Sequence, residues 1–254
     1  MRILFVADVF GAPGRRAVES RLPSLRTELG ADFCIVNGEN AAAGRGITAK
    51  LADRILASGA DVITLGNWTW GQQGFAPYLS GTDRVLRPAN LSPQTPGTGL
   101  AVHDGVAVIN LLGSFSLAPF ESPFIAVDRL VAEARARTAV VVVDFHAEAT
   151  SEKVAMARYL DGRATAVIGT HTHVQTSDAR VLRGGTAAIT DAGMTGPHDS
   201  IIGSDDHNAL KRFLTGMPMR LEPATGDVRI EGALVECGDD GRATACTAVR
   251  VEVD

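Results

Sequence analysis

The chain has 254 residues, of which 45% are hydrophobic and 21% charged, and it carries a formal net charge of −5. Such a chain can bury a large core, and its acidic balance argues against a protein that coats nucleic acid or binds membranes through basic patches. Three cysteines without a Cys-x-x-Cys spacing argue against a disulfide framework. We find no signal-peptide pattern and no segment apolar over a bilayer's thickness, so we expect a cytoplasmic protein.

The N-terminal quarter of the chain predicts the order β-α-β-α-β. The short apolar runs RILFVAD, DFCIVNGEN and DVITLGN are typical of strands buried on both faces. Residues 13–30 have helical spacing, with Gly30 as the expected C-terminal cap and Pro23 expected to kink or divide the helix. Residues 48–60 predict a second helix capped by Thr48. This order implies right-handed crossovers and a parallel sheet.

The rest of the chain predicts further elements in a less regular order. Residues 88–99 are typical of a surface loop, and two hairpins are expected to turn at 103–105 and 184–185. Further predicted elements are helices over 123–137, 150–162 (capped by Thr150 or Ser151) and near 206–216, strands over 138–148 and 164–173, and antiparallel strands over 226–254. Without a long linker or a repeat, one mixed α/β domain over residues 1–254 is the simplest account.

Five predicted strands end in polar residues that can bind metals or transfer protons. These residues are Asp8, the pair Glu39 and Asn40, Asn67, His146, and the pair His171 and His173. In a parallel sheet the C-terminal ends of the strands lie along one edge, where ligands bind, so we expect these side chains to converge. Each alone has an ordinary explanation as a turn, cap or core residue. Their occurrence at all five strand ends indicates a metal site.

The sequence GTHTHV places His171 and His173 two positions apart after an apolar strand. On an extended backbone, residues i and i+2 point to the same side, so both imidazoles could reach one centre. The pair by itself is equally compatible with a packed core. Together with the other strand ends, we interpret it as part of the metal site.

The candidate ligands narrow the chemistry. Three histidines, two carboxylates and two amides are too many for one ion, and they suit two ions that share a carboxylate. No cysteine is among them, which argues against structural zinc; iron, manganese or zinc fits, and magnesium remains open. Two divalent ions bring +4 and the two carboxylates −2, which leaves +2 to attract a phosphate. Such a centre can activate water and stabilise an in-line displacement.

The motifs DVFG, GEN, GN, DFHAE and GTHTHV occur in the order found in calcineurin-like metallophosphoesterases. Over nearly its full length the chain resembles the YmdB-like branch, bacterial phosphodiesterases of cyclic nucleotides, through NGENAAAGRG, DFHAEATSEK, IGTHTHVQT and TDAGMTGPHDSIIG. The resemblance implies a four-layer α/β/β/α sandwich of two mixed sheets flanked by helices. It also implies a binuclear metal-dependent phosphodiesterase that attacks phosphorus with a metal-bound hydroxide and opens a 2′,3′-cyclic nucleotide.

The resemblance further implies roles for individual residues. Asp8 and His173 would hold one metal ion, and Glu39 would bridge both ions and hold the hydroxide, with Asn40 close by. Asn67, His146 and His171 would hold the other ion. Most calcineurin-like enzymes have a histidine two residues after the first aspartate, whereas this chain has Phe10 there, as expected for the YmdB-like branch.

The third motif departs from the family pattern at Trp68. The family normally has Gly-Asn-His, and this histidine is thought to protonate the leaving oxygen; here the motif is Gly-Asn-Trp. An indole cannot supply a proton at neutral pH, and general acid catalysis contributes roughly 100- to 10,000-fold in rate. The enzyme is then slow or limited to good leaving groups, or His198 or His207 supplies the proton. A phosphomonoesterase, a non-catalytic nucleotide-binding regulator and an engineered Trp68 also remain open.

Residues that could contact substrate are less well defined. Arg45, with Gly44 and Gly46 beside it, follows the second strand and could contact phosphate, and His198 is another candidate. Asp191 and Asp199 could support the histidines or merely shape turns. The expected partner is a small phosphate ester, not a nucleic-acid duplex or a membrane, and a homo-oligomer remains open.

Overall fold

The structure is a computed structural model that describes residues 1–253. The helices are α1 Gly11–Glu28, α2 Ala49–Ala57, α3 Ala76–Ser80, α4 Pro123–Arg135, α5 Thr150–Tyr159 and α6 Asp206–Thr215. The strands are β1 Arg2–Val6, β2 Phe33–Asn37, β3 Val62–Thr64, β4 Val85–Leu86, β5 Leu100–His103, β6 Val106–Leu112, β7 Val140–His146, β8 Ala166–Thr170, β9 Arg180–Val181, β10 Ala187–Ile189, β11 Gly196–Asp199, β12 Gly226–Cys237 and β13 Ala243–Glu252. None of the helices within 1–253 is long and apolar enough to cross a bilayer.

The strands form two mixed sheets. The first sheet has the order β11-β12-β1-β2-β3-β4, and β13 pairs with the free side of β12. The second has the order β5-β6-β7-β8-β10-β9. In each sheet a parallel centre built by helical crossovers is extended by antiparallel hairpins, as the sequence predicts for β5–β6, β9–β10 and β12–β13. The expected fold of two mixed sheets flanked by helices is confirmed.

Three apolar clusters fill the spaces between the helices and the two sheets. One cluster packs α1 and α2 against the outer face of the first sheet, and it includes Val18, Leu22 and Ile55. A second lies between the sheets and joins residues such as Phe5 to residues such as Val142. A third packs α4 and α5 against the outer face of the second sheet. Because strands of both sheets are covered on two faces, their sequences are continuous apolar runs.

The structure corrects several expectations about local elements. Helix α1 begins at Gly11 and continues through Pro23, so the proline neither ends nor divides it. Pro23 is exposed to solvent. A proline has no N–H to donate to the carbonyl four residues before it, here that of Glu19, and water can bond this carbonyl instead. Ala149, and not Thr150 or Ser151, precedes the first residue of α5. The short elements α3, β4 and β11 were not predicted, because they are too brief to show a periodic pattern.

Candidate functional site

The polar strand ends meet where the C-terminal edges of the two sheets face each other. Asp8, Glu39, Asn40 and Asn67 follow β1, β2 and β3 of the first sheet, whereas His146, His171 and His173 end or follow β7 and β8 of the second. The expectation that one parallel sheet edge carries all of them is therefore wrong. We call these seven residues the polar cluster. It is largely buried, with Asp8, Glu39 and His146 fully so.

His173 forms one half of the polar cluster with Asp8 and Asn40. Its Nδ1 lies 3.0 Å from the carbonyl oxygen of Ile202, which can only accept, so Nδ1 carries a proton. In a neutral ring Nε2 then holds a lone pair. That lone pair faces Asn40 Oδ1 at 3.2 Å and Asp8 Oδ2 at 3.4 Å. The Asn40 amide is oriented this way because its Nδ2 donates to the Gly44 carbonyl at 2.9 Å.

His146 and His171 form the other half with Asn67. The Nδ1 atom of His171 lies 3.1 Å from His146 Nε2, which lies 3.0 Å from Asn67 Oδ1 and 3.9 Å from Glu39 Oε1. The opposite nitrogen of His171, Nε2, lies 2.9 Å from a carboxylate oxygen of Glu148. Sequence reasoning missed Glu148, although it lies two residues after His146 within the motif DFHAE. By accepting from Nε2–H, Glu148 leaves Nδ1 of His171 with a lone pair.

Backbone donors hold both carboxylates of the polar cluster in place. Glu39 accepts hydrogen bonds from the backbone N–H groups of Gly66 and Trp68, in the turn after β3. Asp8 accepts one from the backbone N–H of His171 at 2.8 Å through Oδ2. Its Oδ1 is buried and has no hydrogen-bond partner among residues 1–253. A buried carboxylate oxygen without a donor is costly, so this atom is available for a cation.

Burial penalises charge throughout the polar cluster. It raises the pKa of Asp8 well above its ordinary value, and repulsion by neighbouring carboxylates adds to the shift. It also raises the pKa of Glu39 to about 8, against the hydrogen bonds from the turn after β3. Desolvation likewise lowers the pKa of each of the three histidines, which favours their neutral forms. A bound cation would favour ionised carboxylates and neutral imidazoles at the same time.

The geometry of the polar cluster fits cation ligands. Two ligand atoms about 2.1 Å from one ion, at an angle near 90° to 110°, lie about 3.0 to 3.4 Å apart. The four distances within the two halves are 3.0, 3.1, 3.2 and 3.4 Å. Among residues 1–253, no group of three or more His, Cys, Asp and Glu side chains alone could hold a metal ion. Each half of the polar cluster also uses the side-chain oxygen of an asparagine, Asn40 or Asn67. Oxygen and imidazole donors of this kind suit manganese, iron or zinc.

The segment 171–173 is not extended, so the simple i, i+2 argument for the two histidines is wrong. His171 and His173 have φ of 97° and 63°, which turns their rings toward different halves of the polar cluster. Between them, Thr172 donates its N–H and hydroxyl to Asp191 Oδ2 at 3.0 and 2.6 Å. Buried Lys153 also donates to this oxygen, at 2.7 Å. Asp191 therefore supports the histidines through the backbone between them, because it bonds Thr172 and not their rings.

A cavity of about 850 Å³ adjoins the polar cluster. Gly44 and Arg45, two residues expected to contact substrate, line it together with Trp68, His171 and His173. Unpredicted neighbours from α6 and the segment after it also line it, namely Ala209, Arg212, Phe213, Met219, Arg220, Leu221 and Glu222. The cavity size is typical of a small-molecule site.

Two other expected residues lie elsewhere. His198 is not part of the cavity lining; its Nε2 lies 3.2 Å from the carbonyl oxygen of Met194 and 3.9 Å from Glu231. Asp199 is exposed at the end of β11. Both lie on β11, which joins the first sheet beside β12, whereas β8 belongs to the second sheet.

A family model described as "YmdB-like protein" matches residues 4–249. The chain belongs to this family. The YmdB-like chain is also 47% identical over 256 residues to a Bacillus subtilis (strain 168) protein named 2′,3′-cyclic-nucleotide 2′-phosphodiesterase. That match covers 99% of this chain and 96% of the relative.

Two solved structures are similar to this YmdB-like chain along nearly its whole length. A hypothetical protein from Thermus thermophilus has a TM-score of 0.93 at 41% identity, with 99% of each chain covered. A Mycoplasma pneumoniae protein described as a novel phosphatase has a TM-score of 0.91 at 31% identity, with 99% of this chain and 93% of that one covered. The two-sheet fold of the chain is therefore shared with solved structures of similar sequence.

Proposed function

We propose that the chain hydrolyses 2′,3′-cyclic nucleotides at a centre that binds two divalent metal ions. Its YmdB-like relatives are named phosphodiesterase or phosphatase, and the chain is a phosphoesterase. The relative at 47% identity, named for 2′,3′-cyclic nucleotides, supports the substrate. The metal centre is supported by one observation above all. The lone pair of His173 Nε2 faces the oxygens of Asp8 and Asn40, and such acceptors repel one another unless a cation or a proton lies among them.

The proposed metal ligands follow the two halves of the polar cluster. Asp8 and His173 would hold one ion with Asn40 close by. Asn67, His146 and His171 would hold the other, and Glu39 would bridge the two ions. Manganese, iron and zinc are the ions that these donors suit, and magnesium remains a candidate.

The surrounding residues would bind and orient the phosphate ester. Two divalent ions, when bound, would lower the pKa of a coordinated water and offset charge on the phosphate. The guanidinium of Arg45 and the backbone around Gly44 line the cavity and would bind phosphate oxygens. Asp8 and Glu39 are buried, so bulk water is excluded around these two carboxylates, which would strengthen their interactions with bound ions.

Trp68 favours a second candidate function, in which the chain binds a nucleotide with little or no turnover. The side chain after Asn67 is an indole, which cannot protonate a leaving oxygen. A phosphomonoesterase with the same centre is the other alternative, and the Mycoplasma pneumoniae relative described as a phosphatase favours it. The substrate range distinguishes the three.

The test combines metal content with turnover. Protein stripped by a chelator would be reloaded with Mn²⁺ or Fe²⁺, and bound metal counted by elemental analysis. The same samples would be assayed with 2′,3′-cyclic AMP, a bis-aryl phosphodiester and AMP. We expect two equivalents of metal and hydrolysis of the diesters, with Asp8→Asn as a low-metal control. Fewer than two equivalents would contradict the binuclear centre, cleavage of AMP alone would favour the phosphomonoesterase, and tight binding of the cyclic nucleotide without turnover would favour the regulator.

A further inference from the structure

Asp144 is a buried carboxylate between the two sheets that the proposed reaction does not use. It lies on β7, two residues before His146, and is inaccessible to solvent. Its Oδ2 accepts from Asn37 Nδ2 at 2.9 Å and from the Thr64 hydroxyl, both in the first sheet. The Asn37 amide can only donate here, because its own oxygen accepts from the backbone N–H of Glu39 at 3.0 Å. Oδ2 of Asp144 is thereby fixed as an acceptor.

The other oxygen of Asp144 connects to His146 through one hydroxyl. Thr170, at the end of β8, donates its hydroxyl to Asp144 Oδ1 at 2.7 Å. The same Thr170 oxygen lies 3.0 Å from His146 Nδ1. A hydroxyl has a single proton, so a Thr170 that donates to Asp144 can only accept from His146. Nδ1 of His146 must then carry the proton.

We infer that Asp144 and Thr170 are positioning residues that select the Nδ1-protonated form of His146, so that its Nε2 lone pair faces Asn67 and His171. This rests on the proposed function in so far as that lone pair serves a metal ion. The opposite tautomer would place a proton on Nε2, which could donate to Asn67 Oδ1 at 3.0 Å or to His171 Nδ1 at 3.1 Å. Such a bond would close this half of the polar cluster without a cation.

The chain offers a matched pair of substitutions to test this inference. Thr170→Val keeps the side-chain shape on β8 but removes the hydroxyl that contacts both Asp144 and His146. Thr64→Val removes a hydroxyl from the same carboxylate, at an equally buried site, without touching His146. Thr170→Ser restores the hydroxyl and serves as the rescue variant. Circular dichroism and thermal unfolding would establish that all three are folded.

The first readout is independent of turnover. Metal-free protein labelled with ¹⁵N-histidine would be studied by NMR, with the His146 signals assigned by their loss in His146→Asn. We expect Nδ1 protonated and Nε2 unprotonated in the wild type, in Thr64→Val and in Thr170→Ser, and a mixed or reversed tautomer in Thr170→Val. A protonated Nε2 in the wild type, or the wild-type tautomer in Thr170→Val, would overturn the inference.

The second readout is Mn²⁺ affinity, measured by calorimetry on chelator-treated protein. Loss of a hydrogen bond behind a ligand histidine typically lowers metal affinity about 10- to 100-fold, and we expect this in Thr170→Val. The Mn²⁺ affinity of Thr64→Val should stay within about threefold of the wild type, because Thr64 does not contact His146. Thr170→Ser should recover most of the affinity that Thr170→Val loses. Equal losses in Thr170→Val and Thr64→Val would contradict the positioning role.

The two readouts separate this inference from the proposed function. A wild-type protein with the expected His146 tautomer that binds no divalent metal supports the hydrogen-bonded chain and contradicts the metal centre. A wild-type protein that binds two metal ions, but shows the opposite His146 tautomer when metal-free, supports the metal centre. It contradicts the proposed role of the hydrogen bonds from Asp144 through Thr170 to His146.

Discussion

The guanidinium carbon of Arg45 lies 4.0 Å from the centre of the Trp68 ring, and both side chains line the cavity beside the polar cluster. The residue after Asn67 therefore presents an aromatic face to a cation, where an imidazole is expected for the family. The backbone N–H of Trp68 still donates to Glu39, and this bond does not depend on the side chain. Position 68 can thus change without losing its support of the carboxylate.

Trp68→His should raise the kcat for 2′,3′-cyclic AMP. A histidine at this position could protonate the leaving oxygen, and such help is worth about 100-fold or more. A bis-aryl phosphodiester needs less protonation because its leaving group is already stable, so its kcat should rise much less. Trp68→Phe, which keeps an aromatic face for Arg45, is the control. Equal kcat values for Trp68→His and the wild type on the nucleotide would mean that another group supplies the proton.

Gly66→Ala should disrupt the half of the polar cluster that contains His146. A methyl group at Gly66 would overlap the imidazole ring of His146, which must then move. Overpacking of this kind costs about 1 to 3 kcal/mol, and the displaced ring should also lower Mn²⁺ affinity. Gly81→Ala is the control, because the nearest atom to its methyl group would be the backbone carbonyl oxygen of Tyr78, 3.7 Å away. Calorimetric titration and urea unfolding of both variants would show whether only Gly66 is sensitive.

Lys153→Met should destabilise the turn that carries His171 and His173. The substitution leaves Asp191 buried without its cationic partner, 2.7 Å away in the wild type. Breaking a buried ion pair from one side typically costs about 3 to 5 kcal/mol. We expect a loss of about this size in the free energy of unfolding, measured with urea. Arg21→Met, which breaks an exposed pair with Glu28 on α1, should have a far smaller effect. A loss in Lys153→Met as small as the loss in Arg21→Met would mean that Asp191 needs no cation.

The metal-free protein should lose stability as the pH rises from 6.5 to 8. Burial raises the pKa of Glu39 from 4.5 to about 8, so over this range the folded state retains a proton that the unfolded chain has released. Extra protons on the folded state mean that stability falls with rising pH. Asp8, with its raised pKa, acts in the same direction. The lowered histidine pKa values act oppositely, but chiefly below their ordinary 6.5.

Urea unfolding of chelator-treated protein at pH 6.5 and 8 would measure this slope. Glu39→Gln cannot titrate and should flatten it. Excess Mn²⁺ should reduce the loss of stability between pH 6.5 and 8, because the ligands bind metal more tightly as they lose protons with rising pH. A wild-type slope equal to that of Glu39→Gln would show that Glu39 is not the group responsible.

The sequence by itself determined the strands and the polar residues that end them. A short run of mostly apolar residues, such as 140–146, identifies a buried strand. This signal is local, because it can be read from neighbouring residues in the sequence. Asp8, Glu39 and His146 are recognisable because a charged or imidazole side chain lies within a few residues of the end of such a run. The order of these motifs also indicated the YmdB-like family, which the whole-chain match bears out.

Only the tertiary structure decided how these residues meet. The sequence suggested one parallel edge and an extended His-x-His, whereas the residues lie on two facing sheets and the histidines have positive φ. Glu148 beside His171, α6 beside the cavity, and the chain from Asp144 through Thr170 to His146 were likewise hidden. Contacts at the site join residues that are far apart in sequence, as when the backbone N–H of His171 bonds Asp8 across 163 positions. Local periodicity predicts which residues are buried, but packing of the two sheets selects their partners.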